Sequence, residues 1–404
     1  MSLRSKLSDL STLPGLPRLP GMAGLSRLRS TIRDAATVAR SLGSAVDEAP
    51  QPPPPEESQV VLRDVPSSAH VRAVSPPPRA VEHVDKLPPE VLRAPSEIAY
   101  DWDYSARRAE LRTLYEKSKD LMWNARTDLD WSIDVDPEDQ IVADAFNPIF
   151  GTDIWRRLDK KTEVPRLRRH IASYILSNFL HGEQGALMAT SQIVASSPTT
   201  DSKLYASAQV FDEARHVEAY DRYLTTKIGL IYPPSKHLKQ LLDTVLTDSR
   251  WDFKFLGMQI LVEGVALGAF GVIHQTAQEP LIKRITQLIM QDEARHVAFG
   301  VMSLRGHYEG MTGSELRDRE EFIIESSRLL RDRFLAQEVW ETVGLPQAEC
   351  EQAALNSPMM QLFRKLLFSK IVPNVKRLGL LTPRVRRGFE ELEVIEYESW
   401  EASA

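Results

Sequence analysis

"FDEARHVEAY" at residues 211–220 and "QDEARHVAFG" at residues 291–300 share six consecutive residues, DEARHV, placed 80 positions apart. A repeat that holds Asp, Glu, Arg and His is not an apolar packing pattern, so its meaning lies in what surrounds each copy. Upstream, Glu183 stands in "HGEQGALMA" and Glu263 in "LVEGVALGA", and both read E-x-x-A-L-x-A. Glu183 precedes Glu213 by 30 residues, and Glu263 precedes Glu293 by 30. The repeated unit is therefore a helical hairpin. The midpoint of the first pair is Pro198, inside "SSPTTD", and that of the second falls beside Pro280. Two antiparallel helices joined by a short turn bring equidistant residues to one height. Glu213 and His216 are spaced i, i+3, as are Glu293 and His296, so each pair shares a helix face.

Two such hairpins packed together place four Glu and two His in one core. That is the ligand pattern of ferritin-like di-metal carboxylate bundles, with one Glu from each of two helices and Glu-x-x-His from the other two. Four carboxylates are not buried together without cations, because desolvation and mutual repulsion both oppose it. Oxygen-rich ligation with imidazole and no thiolate suits two iron ions, or a manganese–iron pair. Glu183 and His216 are expected to serve one metal, Glu263 and His296 the other, with Glu213 and Glu293 as bridging carboxylates. A ligating His needs its second ring nitrogen held, usually by a carboxylate. Asp212 and Asp292 are placed to reach the His of the opposite hairpin, with Arg215 and Arg295 holding those Asp side chains.

The rest of the chain reads as all-α. Residues 166–196, 201–227, 250–276 and 280–308 are long, periodic and almost free of internal proline, with breaks at "SSPTTD", "YPPS" and "QEP". The spacing predicts further helices over 104–123, over 312–343 with Ser314 as cap, and within 346–372. Residues 1–95 hold 15 of the 26 prolines, including "PQPPPP" at 50–55 and "PPP" at 76–78. They are expected to be a disordered or polyproline-like tail, followed by a ferritin-like di-metal domain over 96–404 whose core bundle spans about 166–308. The mildly basic stretch 24–46 is amphipathic; it reads as a solvated tail, with docking to a partner or a membrane surface as the alternative. Net charge is −6, which gives no nucleic-acid signature. The single Cys350 leaves no disulfide framework and no thiolate metal site, which suits a cytoplasmic chain. No transmembrane run and no signal-peptide core are expected.

The pattern Glu, 28 intervening residues, then D-E-x-R-H occurs as Glu183/Asp212–His216 and Glu263/Asp292–His296. It resembles the di-iron oxygenases of the ferritin-like superfamily, both the p-aminobenzoate N-oxygenase family and the hydroxylase subunits of bacterial multicomponent monooxygenases. The resemblance implies an O2-dependent di-iron oxidase or oxygenase. The N-oxygenases carry a third His ligand one turn before the second Glu-x-x-His. Ile289 stands there, which implies a site of four Glu and two His. The small subunit of ribonucleotide reductase shares the superfamily site and places its radical Tyr four residues after the first His, which marks Tyr220 as a catalytic candidate. The expected partners are a small organic or carrier-bound substrate, O2, an external electron donor and a second copy of the chain. A ferroxidase of the ferritin type and a metal-dependent binding bundle without turnover are the other readings. Helices before 166 and after 308 exceed what iron storage needs and suit a substrate pocket, with Ala186, Gly264, Ala266, Gly268 and Phe270 as candidate walls. Trp123, Trp131 and Trp155 are candidate electron relays. The basic stretch 363–389 is a candidate docking face for a donor or carrier protein.

Overall fold

The computed structural model describes residues 80–95 and 97–399. Residues 1–79, which carry the amphipathic stretch and both proline runs, lie outside the described residues. Helix α1 spans Ala109–Asp120, α2 Asp153–Arg157, α3 Glu163–Ser196 and α4 Thr200–Tyr223. After α5 at Lys236–Thr247 comes α6 at Trp251–Thr276, then α7 at Pro280–Leu304. The four helices α3, α4, α6 and α7 pair as two hairpins and form a ferritin-like bundle, the fold that the repeat predicts.

Each hairpin turn is built by local chemistry. Thr199 caps α4 by accepting from Ser202 N, and Pro280 opens α7, where its missing N–H would have been unpaired in any case. Glu279 caps α7 through its carboxylate, which accepts from the backbone N–H groups of Leu281 and Ile282 at 2.6 and 2.7 Å. Helix α6 is long and apolar enough to cross a membrane, but it is buried in protein throughout and carries Glu263. It is a core helix of the bundle.

Additional helices close the ends and sides of the bundle. Helix α8 covers Gly313–Asp332, α9 Gln337–Val343, α10 Gln347–Asn356, α11 Pro358–Leu367, α12 Ile371–Arg377 and α13 Pro383–Glu391. The single helix expected over 312–343 is broken. Arg333–Leu335 form a 3₁₀ turn, and Ala336 takes a left-handed conformation with φ 53° before α9 begins. The cap of α8 is also not Ser314 but Thr312, whose side chain accepts from Glu315 N while Glu315 accepts from Thr312 N. Two residues earlier leaves room for a full capping box, which Ser314 could not form.

The boundary expected at residue 96 is not where the described structure begins. Glu82–His83 form a short strand, β1, paired in parallel with β2 at Leu230–Ile231. Glu82 N donates to Gly229 O and Val84 N to Ile231 O, each at 3.0 Å. So short a pairing leaves no alternating run for a sequence to show.

Candidate metal centre

Glu183 comes from α3, Glu213 and His216 from α4, Glu263 from α6, and Glu293 and His296 from α7; all six are buried. The structure brings them to one point midway along the bundle. Glu183 Oε2 lies 3.2 Å from His216 Nδ1. Glu213 directs Oε2 to His216 Nδ1 at 3.6 Å and Oε1 to His296 Nδ1 at 3.2 Å. Glu293 does the same from the other hairpin, with Oε1 3.3 Å from His216 Nδ1 and Oε2 3.5 Å from His296 Nδ1. Each of these two carboxylates therefore spans both imidazoles, one oxygen to each. Two groups of ligand atoms result, one around Glu183, Glu213, His216 and Glu293, the other around Glu213, Glu263 and His296.

The opposite ring nitrogens are tied down. His216 Nε2 lies 3.0 Å from Asp292 Oδ2, and His296 Nε2 lies 3.3 Å from Asp212 Oδ2. Each Asp thus reaches the His of the other hairpin. Arg215 Nη2 donates to Asp212 Oδ1 at 2.5 Å and to Asp292 Oδ2 at 3.0 Å. Arg295 Nη2 donates to Asp292 Oδ1 at 2.5 Å and lies 3.6 Å from Asp212 Oδ2. With Nε2–H donated to a carboxylate, each imidazole presents the Nδ1 lone pair to the Glu cluster.

The electrostatics show what the cluster lacks. Burial pushes Glu183 and Glu263 well above the usual carboxylate range, a shift that His216 opposes at Glu183 and Glu293 reinforces at Glu263. Burial works the same way on Glu213, but His296 and His216 overcome it and hold that carboxyl below its ordinary value. Burial alone would lower both imidazoles, yet the carboxylates around them raise His216 and His296 well above the usual value. Without cations the environment favours the protonated forms of Glu183, Glu263 and both His. Glu213 Oε2, Glu263 Oε2, both oxygens of Glu293 and His296 Nδ1 are buried with no hydrogen-bond partner. Orphaned acceptors converging on one point are the donor set that two cations would satisfy.

One residue at the site was not singled out from the sequence. Gln209, one turn before Glu213, is fully buried, and its amide nitrogen donates to Glu213 Oε1 at 3.0 Å and Glu263 Oε1 at 2.9 Å. Its place on the inward face of α4 is legible as i−4 from Glu213. The matching position before Glu293 is Ile289, buried and apolar. Trp123 Nε1 donates to Asp292 Oδ2 at 2.7 Å, and its ring stacks 6.3 Å from His216. Trp131 instead donates to Ala125 O, and Trp155 packs on Phe150, so both serve the core. Tyr220 is buried against Phe179 and Phe270 with its hydroxyl unpartnered, and burial raises its pKa. Residues Leu256–Val262 are wound as a π-helix that ends at Glu263, and wide turns of this kind re-aim side chains at functional sites.

The candidate pocket walls divide. Ala186, Ala266 and Phe270 line a small cavity that also touches Glu183, Glu263 and Glu293. Gly264 and Gly268 do not: a Cβ on Gly268 would meet Leu367 Cα at 3.0 Å, so that glycine lets α6 and α11 approach. In the basic stretch 363–389, Lys376, Arg377, Arg384 and Arg387 are exposed, while other basic groups are engaged within the protein. Arg364 donates to the carbonyls of Ala354 and Leu355, Lys365 pairs with Glu396, and Arg386 pairs with Glu398.

Bundle and centre together define an O2-activating di-metal carboxylate oxidoreductase. Residues 104–379 match the model of the family described as p-aminobenzoate N-oxygenase AurF. The chain belongs to the p-aminobenzoate N-oxygenase family. No curated protein sequence matches it. Among solved structures, it is similar to an R2-like ligand-binding oxidase variant with a reconstituted Mn/Fe cofactor, at TM-score 0.43 and 17% identity over 68% of this chain and 94% of that one. It is also similar to dimanganese(II)-NrdF of Streptococcus sanguinis, at TM-score 0.43 and 12% identity over 72% of this chain and 98% of that one.

Proposed function

We propose that the chain oxygenates a small organic substrate at a di-iron or manganese–iron centre, and that the family match favours an amine nitrogen as the acceptor. Glu183 and His216 would hold one metal and Glu263 and His296 the other, with Glu213 and Glu293 available to both. The observation that carries this reading is the double aim of Glu213 and Glu293, each with one oxygen toward each imidazole. A bound, reduced metal pair would supply the electrons that activate O2. Placing one oxygen atom on the substrate and releasing the other as water takes two electrons and two protons per turnover, so an external electron donor would be required.

The chain's own residues hold the geometry. Asp212 and Asp292 fix the imidazoles, and Arg215 and Arg295 fix the Asp pair across α4 and α7. Gln209 orients Glu213 and Glu263. Tyr220, Phe179 and Phe270 exclude water on one side, and the adjoining cavity receives the substrate. A cytoplasmic, homodimeric protein served by a separate reductase completes the proposal; the one buried thiol, Cys350, fits a reducing compartment.

Stopped-flow mixing of the reduced, iron-loaded chain with O2 tests the reading. One O2 consumed per centre, then arrest until reductant and an organic amine are added, is the expected result. Sustained oxidation of excess free ferrous iron would instead make the chain a ferroxidase.

A further inference from the structure

The bundle interior differs on the two sides of the six ligands. Toward the turn of the second hairpin the inward positions are Phe179, Phe270 and Ile289, with Tyr220 among them. Toward the turn of the first hairpin they are polar. Along α4, Asp201, Tyr205, Gln209 and Glu213 follow one another at i, i+4, i+8 and i+12, and all four are buried. Residues four apart are neighbours on a helix surface, so the four form a continuous row that rises by about 6 Å per step. Gln259 takes the matching place on α6, four residues before Glu263, and Thr190 follows Glu183 by seven residues on α3. Both are fully buried. Helix α7 makes room at this height with Gly300, where a Cβ would lie 2.5 Å from Gln259 Cβ.

The polar atoms of this half are open. Tyr205 Oη, Gln209 Oε1, both amide atoms of Gln259 and Thr190 Oγ1 are buried with no hydrogen-bond partner in the protein. Packing does not account for them, because each such group costs about 1–3 kcal/mol in a dry core and an apolar side chain of the same shape would fill the space. Donors and acceptors gathered over two helical turns are the lining that ordered water satisfies. The row also has two defined ends. At the outer one, Asp201 accepts from Arg108 N at 2.8 Å and pairs with Arg112, whose side chain is partly exposed. At the inner one, Gln209 donates to Glu213 and Glu263. Between them the Tyr205 ring packs on Phe299 with centroids 4.6 Å apart, and His296, Arg295, Asp212 and Glu263 are the charged groups around its hydroxyl. Burial raises the Tyr205 pKa, so the hydroxyl keeps its proton and both donates and accepts.

We propose that this row is a proton track, in which water held by Tyr205, Gln209, Gln259 and Thr190 links solvent at the Asp201 end of α4 to Glu213 and Glu263 of the centre. Each hop breaks one O–H bond and forms the next, so a proton that enters at one end leaves at the other and no group on the row changes its net charge. The two glutamine amides hold the water in line, and the Tyr205 hydroxyl passes the proton on. The apolar half keeps water from the substrate side, while the polar half moves protons without opening the centre to bulk solvent. The track goes beyond the oxygenase reading. It would supply the two protons that each turnover consumes, and it equally serves the protons that bound metals displace.

The test uses a proton movement that does not require O2. The metal-free full chain is mixed with excess Mn(II) and a pH-indicator dye in a stopped-flow instrument, and proton release is followed. Tyr205→Phe keeps the ring on Phe299 and removes only the hydroxyl, so it should slow release by about 10-fold or more. The number of protons released and the Mn(II) bound should stay as in the parent, and the melting temperature should hold or rise. Thr190→Val should slow release in the same sense, and a crystal structure of the Mn(II)-loaded chain should show ordered water against Tyr205 Oη and the Gln259 amide. Release at the parent rate in both variants would overturn the proposal, as would a dry layer around Gln259. A purely structural Tyr205 would lower the melting temperature or the Mn(II) content and leave the rate unchanged. A chain that passes this test without consuming O2 would keep the track and lose the oxygenase reading, and one that consumes O2 with unslowed release in the variants would do the reverse.

Discussion

His216 and His296 lie at the heart of the cluster, and their neighbours decide which nitrogen is free. Asp292 accepts from His216 Nε2, from Trp123 Nε1 and from both Arg215 and Arg295. Asp292→Asn should therefore loosen metal binding by roughly 10- to 100-fold while the bundle remains folded; metal titration and far-UV circular dichroism measure the two parts. Direct coordination of Asp212 or Asp292 to a metal in a loaded crystal structure would refute this orienting role. Gln209 acts differently, since its amide nitrogen holds one oxygen of Glu213 and one of Glu263. Gln209→Ala should weaken the metal at His296 more than the one at His216, so that bound metal falls from two toward one per chain. Equal loss of both metals by elemental analysis would show that Gln209 supports the whole centre instead.

At the scale of the elements, helix ends and close approaches set the frame around the site. Thr312 and Glu315 form a reciprocal cap at the start of α8, and Thr312→Ala should cost about 1 kcal/mol in chemical denaturation. Gly268 faces the backbone of α11, with a Cβ at that position only 3.0 Å from Leu367 Cα. Backbone cannot swing aside as a side chain does, so Gly268→Ala should force α6 and α11 apart and destabilise by about 1–3 kcal/mol. A variant as stable as the parent would mean that the α11 layer moves freely over α6. The π-helical stretch before Glu263 belongs to the same scale, because it sets the height at which that carboxylate meets the others.

Over the whole molecule, proton and metal occupancy of the centre are linked. Glu183 and Glu263 are raised above their ordinary 4.5, and His216 and His296 above 6.5. Stability that these groups contribute is complete below those ordinary values and is lost as pH rises through the raised ones. Glu213 and Asp292 are lowered, so their contribution is lost in acid. The metal-free chain should therefore lose melting temperature as pH is raised from about 5 to about 8, and two bound metals should remove that decline by displacing the protons. Thermal melts with and without Mn(II) across that range check it; parallel curves would rule out this linkage. The N-terminal side of the fold is also testable. A chain beginning at residue 80 keeps the backbone bonds of Glu82 and Val84, whereas one beginning at residue 96 loses them. Both should bind two metals, with the shorter one melting lower.

The convergence of the four Glu and two His and the bundle itself were legible in the sequence because helical hairpins convert spacing into height. Thirty residues between Glu183 and Glu213, repeated between Glu263 and Glu293, leave little freedom once each turn is marked by proline. The crossed partnership of Asp212 with His296 and Asp292 with His216 followed from the same spacing. Gln209 was within reach, since i−4 from a ligand lies on its face, but nothing in a single Gln separates a buried amide from a solvated one. The break at Ala336 was not legible: alanine carries no signal for a left-handed turn, and only packing of α9 against the bundle imposes it. Arg333 depended on that break. A basic residue near a helix end reads as a solvated cation, and only the tertiary structure removed its water and set it over the ring of Phe334.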